Sequence, residues 1–338
     1  MEAVVNLGRN VKLKNRLRSM LLNAVASKRS LGMQRSFAEL GRKLGGKEHV
    51  VSAFLQLDDP YSYLLARYLA EFSSKYDIKL NVCLSQARSE EFQPAPDMLA
   101  EYAAVDAQRV AKELGIPFLD KGTTPPFEYR RGLLDVVAAR ADHEDFAEEL
   151  FQVLEIFWRG DSEAAARRSD TGEAGSADAV IARSQELQER LGHYSSGMLH
   201  YGGEWYWGVD RLHYLMDRLD DLGLGRDDHK SARLASIQQV MRLSLPVTPP
   251  AAAKELPPIE LFGSFRSPYS YLVLNRVFEI ADAFGIELKL RPVLPMVMRG
   301  MKVPRAKLLY IAKDTMREAE RLGVPYGRIA DPVGEGVE

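Results

Sequence analysis

Two short words in this sequence put chemistry-bearing side chains where a helix begins. Asp59-Pro60-Tyr61-Ser62-Tyr63-Leu64 and Ser267-Pro268-Tyr269-Ser270-Tyr271-Leu272 each follow a short apolar run. Asp and Ser are favoured helix N-caps, and Pro is favoured at the first helical position. An oxygen there lies among unpaired amides at the positive end of the helix dipole. Other reactive residues are sparse. The single cysteine, Cys83, excludes a disulfide framework, a cysteine-rich zinc site and an internal dithiol, and it reads as a small hydrophobe in a strand. The six histidines lack metal-ligand spacing, so no metal is expected. Gly41 to Lys47 imitates a phosphate-binding loop, but Glu48 stands where Ser or Thr is needed and a strand follows instead of a helix.

The elements that must position these residues come in two copies. Beyond the Pro-Tyr-Ser-Tyr-Leu word, an offset of 208 carries Ile78 and Leu80 onto Ile286 and Leu288. It also carries Tyr102, Asp106 and Arg109 onto Tyr310, Asp314 and Arg317, and Leu114, Gly115 and Pro117 onto Leu322, Gly323 and Pro325. Each copy reads as strand, helix, strand (50–57 then 78–84; 259–265 then 286–290), which is a right-handed βαβ unit with a parallel pair. The first copy continues through helices over 99–114, 132–141 and 145–158, a polar loop over 160–177 and a helix over 179–191. Gly202-Gly203 between Met198–Tyr201 and Trp205–Trp207 marks a hairpin, and Asp210 caps a last helix. The fold class is therefore α/β, with the order βαβ, helical insert, ββα.

This layout resembles the DsbA-like branch of the thioredoxin fold, and within it 2-hydroxychromene-2-carboxylate isomerases and kappa-class glutathione transferases. Phe265-Arg266-Ser267-Pro268-Tyr269-Ser270-Tyr271-Leu272 resembles the family's strand-to-helix turn. Arg291-Pro292-Val293-Leu294 resembles its second-strand exit, and Trp207-Gly208-Val209-Asp210-Arg211-Leu212 its closing hairpin and last helix. The resemblance implies glutathione as cosubstrate and Ser267 as the residue supporting its thiolate. It also implies Pro268 and Tyr269 as glutathione-binding residues, Gly197 at the position of the family's cis-proline, and Asp210 at the γ-glutamyl end. The implied reaction is isomerisation or transfer on a small conjugated or aromatic carboxylate. Asp59, in the equivalent position of the first copy, is expected to be inactive. The alternative is a decayed binding or scaffold protein, or an oxidoreductase relative without a dithiol.

The expected organisation is a basic helical segment over 1–48, a complete domain over 49–224, a linker over 225–257 and the first half of a second domain over 258–338. The second copy stops before a closing hairpin, so the sequence reads as a fragment or as a chain completed by a partner; the two copies could also form an intramolecular pseudo-dimer. The net charge of −2 hides an asymmetry. Residues 1–48 hold eleven Lys and Arg against three Glu. That segment reads first as a solvated helix packed on the acidic remainder, and second as a membrane-surface contact. No aromatic platform interleaves the basic residues, which argues against nucleic acid. With neither a signal sequence nor an apolar run long enough to span a bilayer, the expectation is a soluble cytoplasmic protein.

Overall fold

The computed structural model describes residues 20, 24, 27–86, 92–93, 95–118, 129–170, 176–226, 231–240 and 256–327. The chain divides into two compact units. The first unit is Ala38–Leu243; the second combines Met1–Phe37 with Ser244–Glu338. Helix α1 (Lys28–Leu44) contributes residues to both.

The first unit runs β1 (Val50–Leu55), α2 (Pro60–Lys75), β2 (Lys79–Leu84), α3 (Pro96–Glu113), α4 (Arg130–Ala139), α5 (Phe146–Trp158), α6 (Ser162–Ser169), α7 (Ala177–Arg190), β3 (Met198–Tyr201), β4 (Glu204–Trp207), α8 (Leu212–Asp221) and α9 (Ala232–Val240). Its sheet has the order β2-β1-β3-β4. β1 and β2 are parallel, while β3 lies antiparallel to both β1 and β4. Val51, Ala53 and Leu55 alternate onto the face that joins the main core, where Leu64, Tyr68 and Phe72 of α2 and Leu154 and Trp158 of α5 are all buried. Trp158 satisfies its indole by donating Nε1–H to the Leu57 carbonyl at 2.8 Å, so it ties the insert to the end of β1.

Two segments differ from the sequence reading. The stretch expected as a polar loop over 160–177 contains α6, started by Asp161 accepting from the Ala164 amide at 2.9 Å. The stretch expected as linker contains α9. Ser231 caps it, and Leu234 and Ile237, one turn apart, are fully buried in the main core. Burying such a pair contributes about 1.5–3 kcal/mol per side chain, enough to fix a short helix that has little periodicity of its own.

The hairpin between β3 and β4 turns at Gly202 and Gly203, with φ of +52° and +82°. A Cβ on Gly202 would lie 2.5 Å from Arg218 Nη2. Arg218 runs beneath the turn, donating to the Tyr201 carbonyl at 2.8 Å and to Glu204 at 2.7 Å, with its guanidinium 4.6 Å from the Tyr201 ring centroid. Both members of this ion pair are only 3% exposed.

The second unit runs β5 (Ile259–Gly263), α10 (Pro268–Phe284), β6 (Leu288–Pro292) and α11 (Arg305–Leu322). Its register repeats that of the first unit: Val51 faces Leu80, and 208 positions on Ile259 faces Leu288. Three side-chain bonds recur at the same offset. Tyr61 donates to Asp106 and Tyr269 to Asp314, each at 2.8 Å. Tyr63 donates to the Pro117 carbonyl at 2.6 Å and Tyr271 to that of Pro325 at 2.7 Å. Ser62 Oγ accepts the Gln56 amide at 3.0 Å and Ser270 Oγ that of Ser264 at 3.2 Å. The surroundings differ. Phe54 and Leu57 are buried, whereas their counterparts Phe262 and Phe265 are exposed among the described residues. In the same unit Leu31 of α1 packs on Ala312 and Met316 of α11, Lys28 pairs with Glu320, and Lys313 donates to Gln34.

Removing Arg218 alone strands Glu204 in the interior. Arg218→Ala should lower the stability of the first unit by about 3–5 kcal/mol, read as the shift in its urea midpoint. The double change Arg218→Met with Glu204→Leu should recover most of that loss.

Candidate functional site

In the first unit the β1–α2 turn ends at Asp59, which has extended dihedrals and caps α2. Its carboxyl accepts from the amides of Tyr61 at 3.2 Å and Ser62 at 3.0 Å, and from Ser62 Oγ at 2.6 Å. Burial outweighs these bonds and the one from Ser196, and pushes the Asp59 carboxyl above its usual 3.8. The loop before β3 closes over it. Gly197 has φ of +65°, and a Cβ there would meet Asp59 Oδ2 at 3.1 Å, so only glycine permits this approach. Asp210 lies in the 3-10 turn Val209–Arg211 after β4. Burial, then Asp106, Asp59 and Asp210, hold the Tyr61 phenol well above its ordinary range. Neighbouring Asp58 is bound by Arg130 at 3.1 Å and by Gln56 Nε2 at 2.9 Å. The structure brings Asp59, Gly197 and Asp210 to one end of the sheet, around Tyr61. What fills the α2 N-terminus there is the chain's own carboxyl.

In the second unit Ser267 caps α10, its Oγ accepting from the Ser270 amide at 3.3 Å. That bond uses an oxygen lone pair and leaves the hydroxyl proton for another acceptor. A cavity of about 320 Å³ opens here, lined by Phe265, Arg266, Ser267, Pro268, Tyr271, Pro325, Tyr326 and Gly327. Tyr269, implied by the resemblance as a glutathione-binding residue, is not among these lining residues. Its hydroxyl goes to Asp314, a buried carboxylate that also takes Arg317 at 3.0 Å. The aromatic walls are instead Phe265, Tyr271 and Tyr326, held by Tyr271 on the Pro325 carbonyl and Tyr326 against Thr315 at 2.7 Å. Sequence reasoning passed over Tyr326. The alternation of the Tyr-Ser-Tyr word was the available signal that Tyr269 and Tyr271 face different surroundings.

Two other titratable groups are shifted by burial. Cys83 in β2 is buried, and burial pushes its thiol up to about 11. His200 is pulled down to about 4, by burial first and by Arg218 second, so it is neutral at physiological pH. Among the described residues no group of three or more His, Cys, Asp and Glu is placed to hold a metal ion.

In the first unit a βαβ motif, a helical insert and a ββα motif, built on a sheet of order β2-β1-β3-β4, have the layout of a thioredoxin fold with a helical insert, and Asp59 stands at the start of its first crossover helix. No family model and no curated protein matches the sequence. Among solved structures, the chain is similar to a 2-hydroxychromene-2-carboxylate isomerase (17% identity, 52% of this chain and 96% of that one, TM-score 0.39). It is also similar to the cytosolic disulfide reductase DsbM from Pseudomonas aeruginosa (17% identity, 58% and 100%, TM-score 0.34).

The raised Asp59 carboxyl has a definite sign. The folded chain holds this proton more tightly than the unfolded chain, so the stabilising contribution falls as pH climbs from about 3.8. Asp59→Asn keeps a capping oxygen and removes the titration. Its melting temperature minus that of the wild type should rise as pH goes from 4 to neutral, and a flat difference would contradict the assignment. Cys83 should react with an aromatic disulfide reagent at pH 7.5 at least about 100-fold more slowly in the folded chain than after denaturation.

Proposed function

We propose that the second unit binds a thiol cosubstrate of the glutathione kind at Ser267, and that the chain is a glutathione-dependent isomerase or transferase acting on a small conjugated or aromatic carboxylate. The observation that carries this reading is the cavity of about 320 Å³ at the start of α10, with the Ser267 hydroxyl in its wall. When bound, such a thiol supplies a nucleophile that can add reversibly to a conjugated double bond. The chain's own residues do the rest. Ser267 donates its free proton to the sulfur, and the first amides of α10 add the positive end of the helix dipole. Arg266 contributes positive charge at the rim, and Phe265, Tyr271 and Tyr326 offer apolar walls to a conjugated substrate. Without an internal dithiol, disulfide exchange within this chain is excluded by the cysteine count.

A second reading, a binding or scaffold protein without turnover, is favoured by the first unit. There Asp59 already takes the α2 amides and Gly197 presses on its carboxyl, which leaves an incoming thiolate neither donors nor charge complementarity.

Calorimetry separates the two. Ser267→Ala should weaken glutathione binding about tenfold or more, while Asp59→Ala should leave it within about twofold, one charge-assisted hydrogen bond being lost in the first case only. The absence of heat with millimolar glutathione would remove the isomerase reading and leave the scaffold.

A further inference from the structure

Helix α1 is amphipathic in the unexpected sense. Met33, Phe37, Leu40 and Leu44 are 51%, 72%, 53% and 80% exposed. At about 100° per residue these four lie within roughly 60° of arc, a single outward stripe about three turns long. The opposite side carries Leu31, packed on Ala312 and Met316, and further along a polar cluster. Glu39 accepts from the Tyr201 hydroxyl at 2.9 Å and from Arg42 at 2.9 Å, and His49 Nδ1 lies 2.5 Å from the same hydroxyl. Burial opposes charge on Glu39, but the bonds from Arg42 and Tyr201 prevail and hold its carboxyl below the usual carboxylate range. Within the first unit, the hydrogen bond between Tyr201 and Glu39, and not the apolar stripe, holds the end of this helix.

The helix and its exit are rich in cations, with Lys28 paired to Glu320 and Glu48 exposed beside Lys47. Between residues 28 and 47 the sequence has six Lys and Arg and a single carboxylate, the inward Glu39. Arg29, Lys43 and Lys47 are exposed at the two ends of the stripe. A second copy of the same helix would set these cations against one another in either orientation, and fewer than two heptads is short for a coiled coil. A surface that accepts four apolar side chains and rewards cations at both ends is an anionic bilayer. Among the described residues no helix is long and apolar enough to cross a membrane, so this helix would lie in the interface plane.

We propose that the outer face of α1 docks on an anionic lipid surface, with Phe37 and Leu40 entering the headgroup–acyl boundary and Arg29, Lys43 and Lys47 meeting the headgroups. The test is co-sedimentation of the full chain with vesicles of phosphatidylcholine, with and without about 30% phosphatidylserine. The expected result is binding to the anionic vesicles only, with release in about 0.5 M salt. Phe37→Ser with Leu40→Ser should weaken binding at least about tenfold, and Lys43→Glu with Lys47→Glu by a similar factor. All four positions are exposed, and an unchanged melting temperature would establish that the variants fold. No sedimentation with anionic vesicles, or equal sedimentation with neutral ones, would overturn the proposal. So would a dimer in analytical ultracentrifugation that the Phe37–Leu40 double variant dissociates, because a second copy would then own the stripe.

Discussion

Both candidate sites depend on how the first unpaired amides of a crossover helix are satisfied. A helix entered directly from a strand leaves those donors without intrahelical partners, and nearby side chains are the acceptors within a residue or two. Each unit answers with two side chains. The residue before the proline caps the helix, and the serine three positions on accepts the amide at the strand exit (Gln56 or Ser264). The second bond is common to both units and fixes the angle between strand and helix. The first is where they part. With Asp59 the acceptor is supplied permanently and sealed by Gly197; with Ser267 the cap is weaker, neutral and open to a cavity.

Much of the architecture was legible because it rests on local rules. The Asp-Pro and Ser-Pro starts, the Gly-Gly hairpin and the constant 208-residue offset each state a backbone requirement in residue types, and the strand registers obey them. What escaped were features decided by burial at long range. Leu234 and Ile237, spaced one turn apart, are the buried pair that 231–240 places in the main core. Only the groove beside α2 turns that weak pattern into a helix. The site was half legible in the same sense. Ser267 and Pro268 are where the word places them, but Tyr269 is claimed by Asp314, whose carboxylate is distant in sequence and needs both Tyr269 and Arg317 to be buried.

Polar interactions do more of the positioning here than the apolar content of 46% implies. Arg218 braces the hairpin from within, Trp158 fastens the insert to β1 through one indole bond, and α1 is held through Glu39 and Tyr201. Such bonds add little net stability when complete, yet they are costly to break, so they select one arrangement among several that would bury similar apolar area.

The pairing of β1 with β3 has a consequence for how the chain acquires its structure. Ser52 meets His200 only after the whole helical insert has been made, whereas β5 meets β6 across one helix. Contacts so far apart in sequence pay their loop-closure entropy late, which slows folding. During synthesis the first unit must therefore carry an unpaired β1 edge, flanked by Phe54 and Leu55, until the hairpin emerges. The insert of the first unit is thus also the interval in which that unit is most open to misassociation, and the parallel βαβ motif of the second unit is the obvious wrong partner.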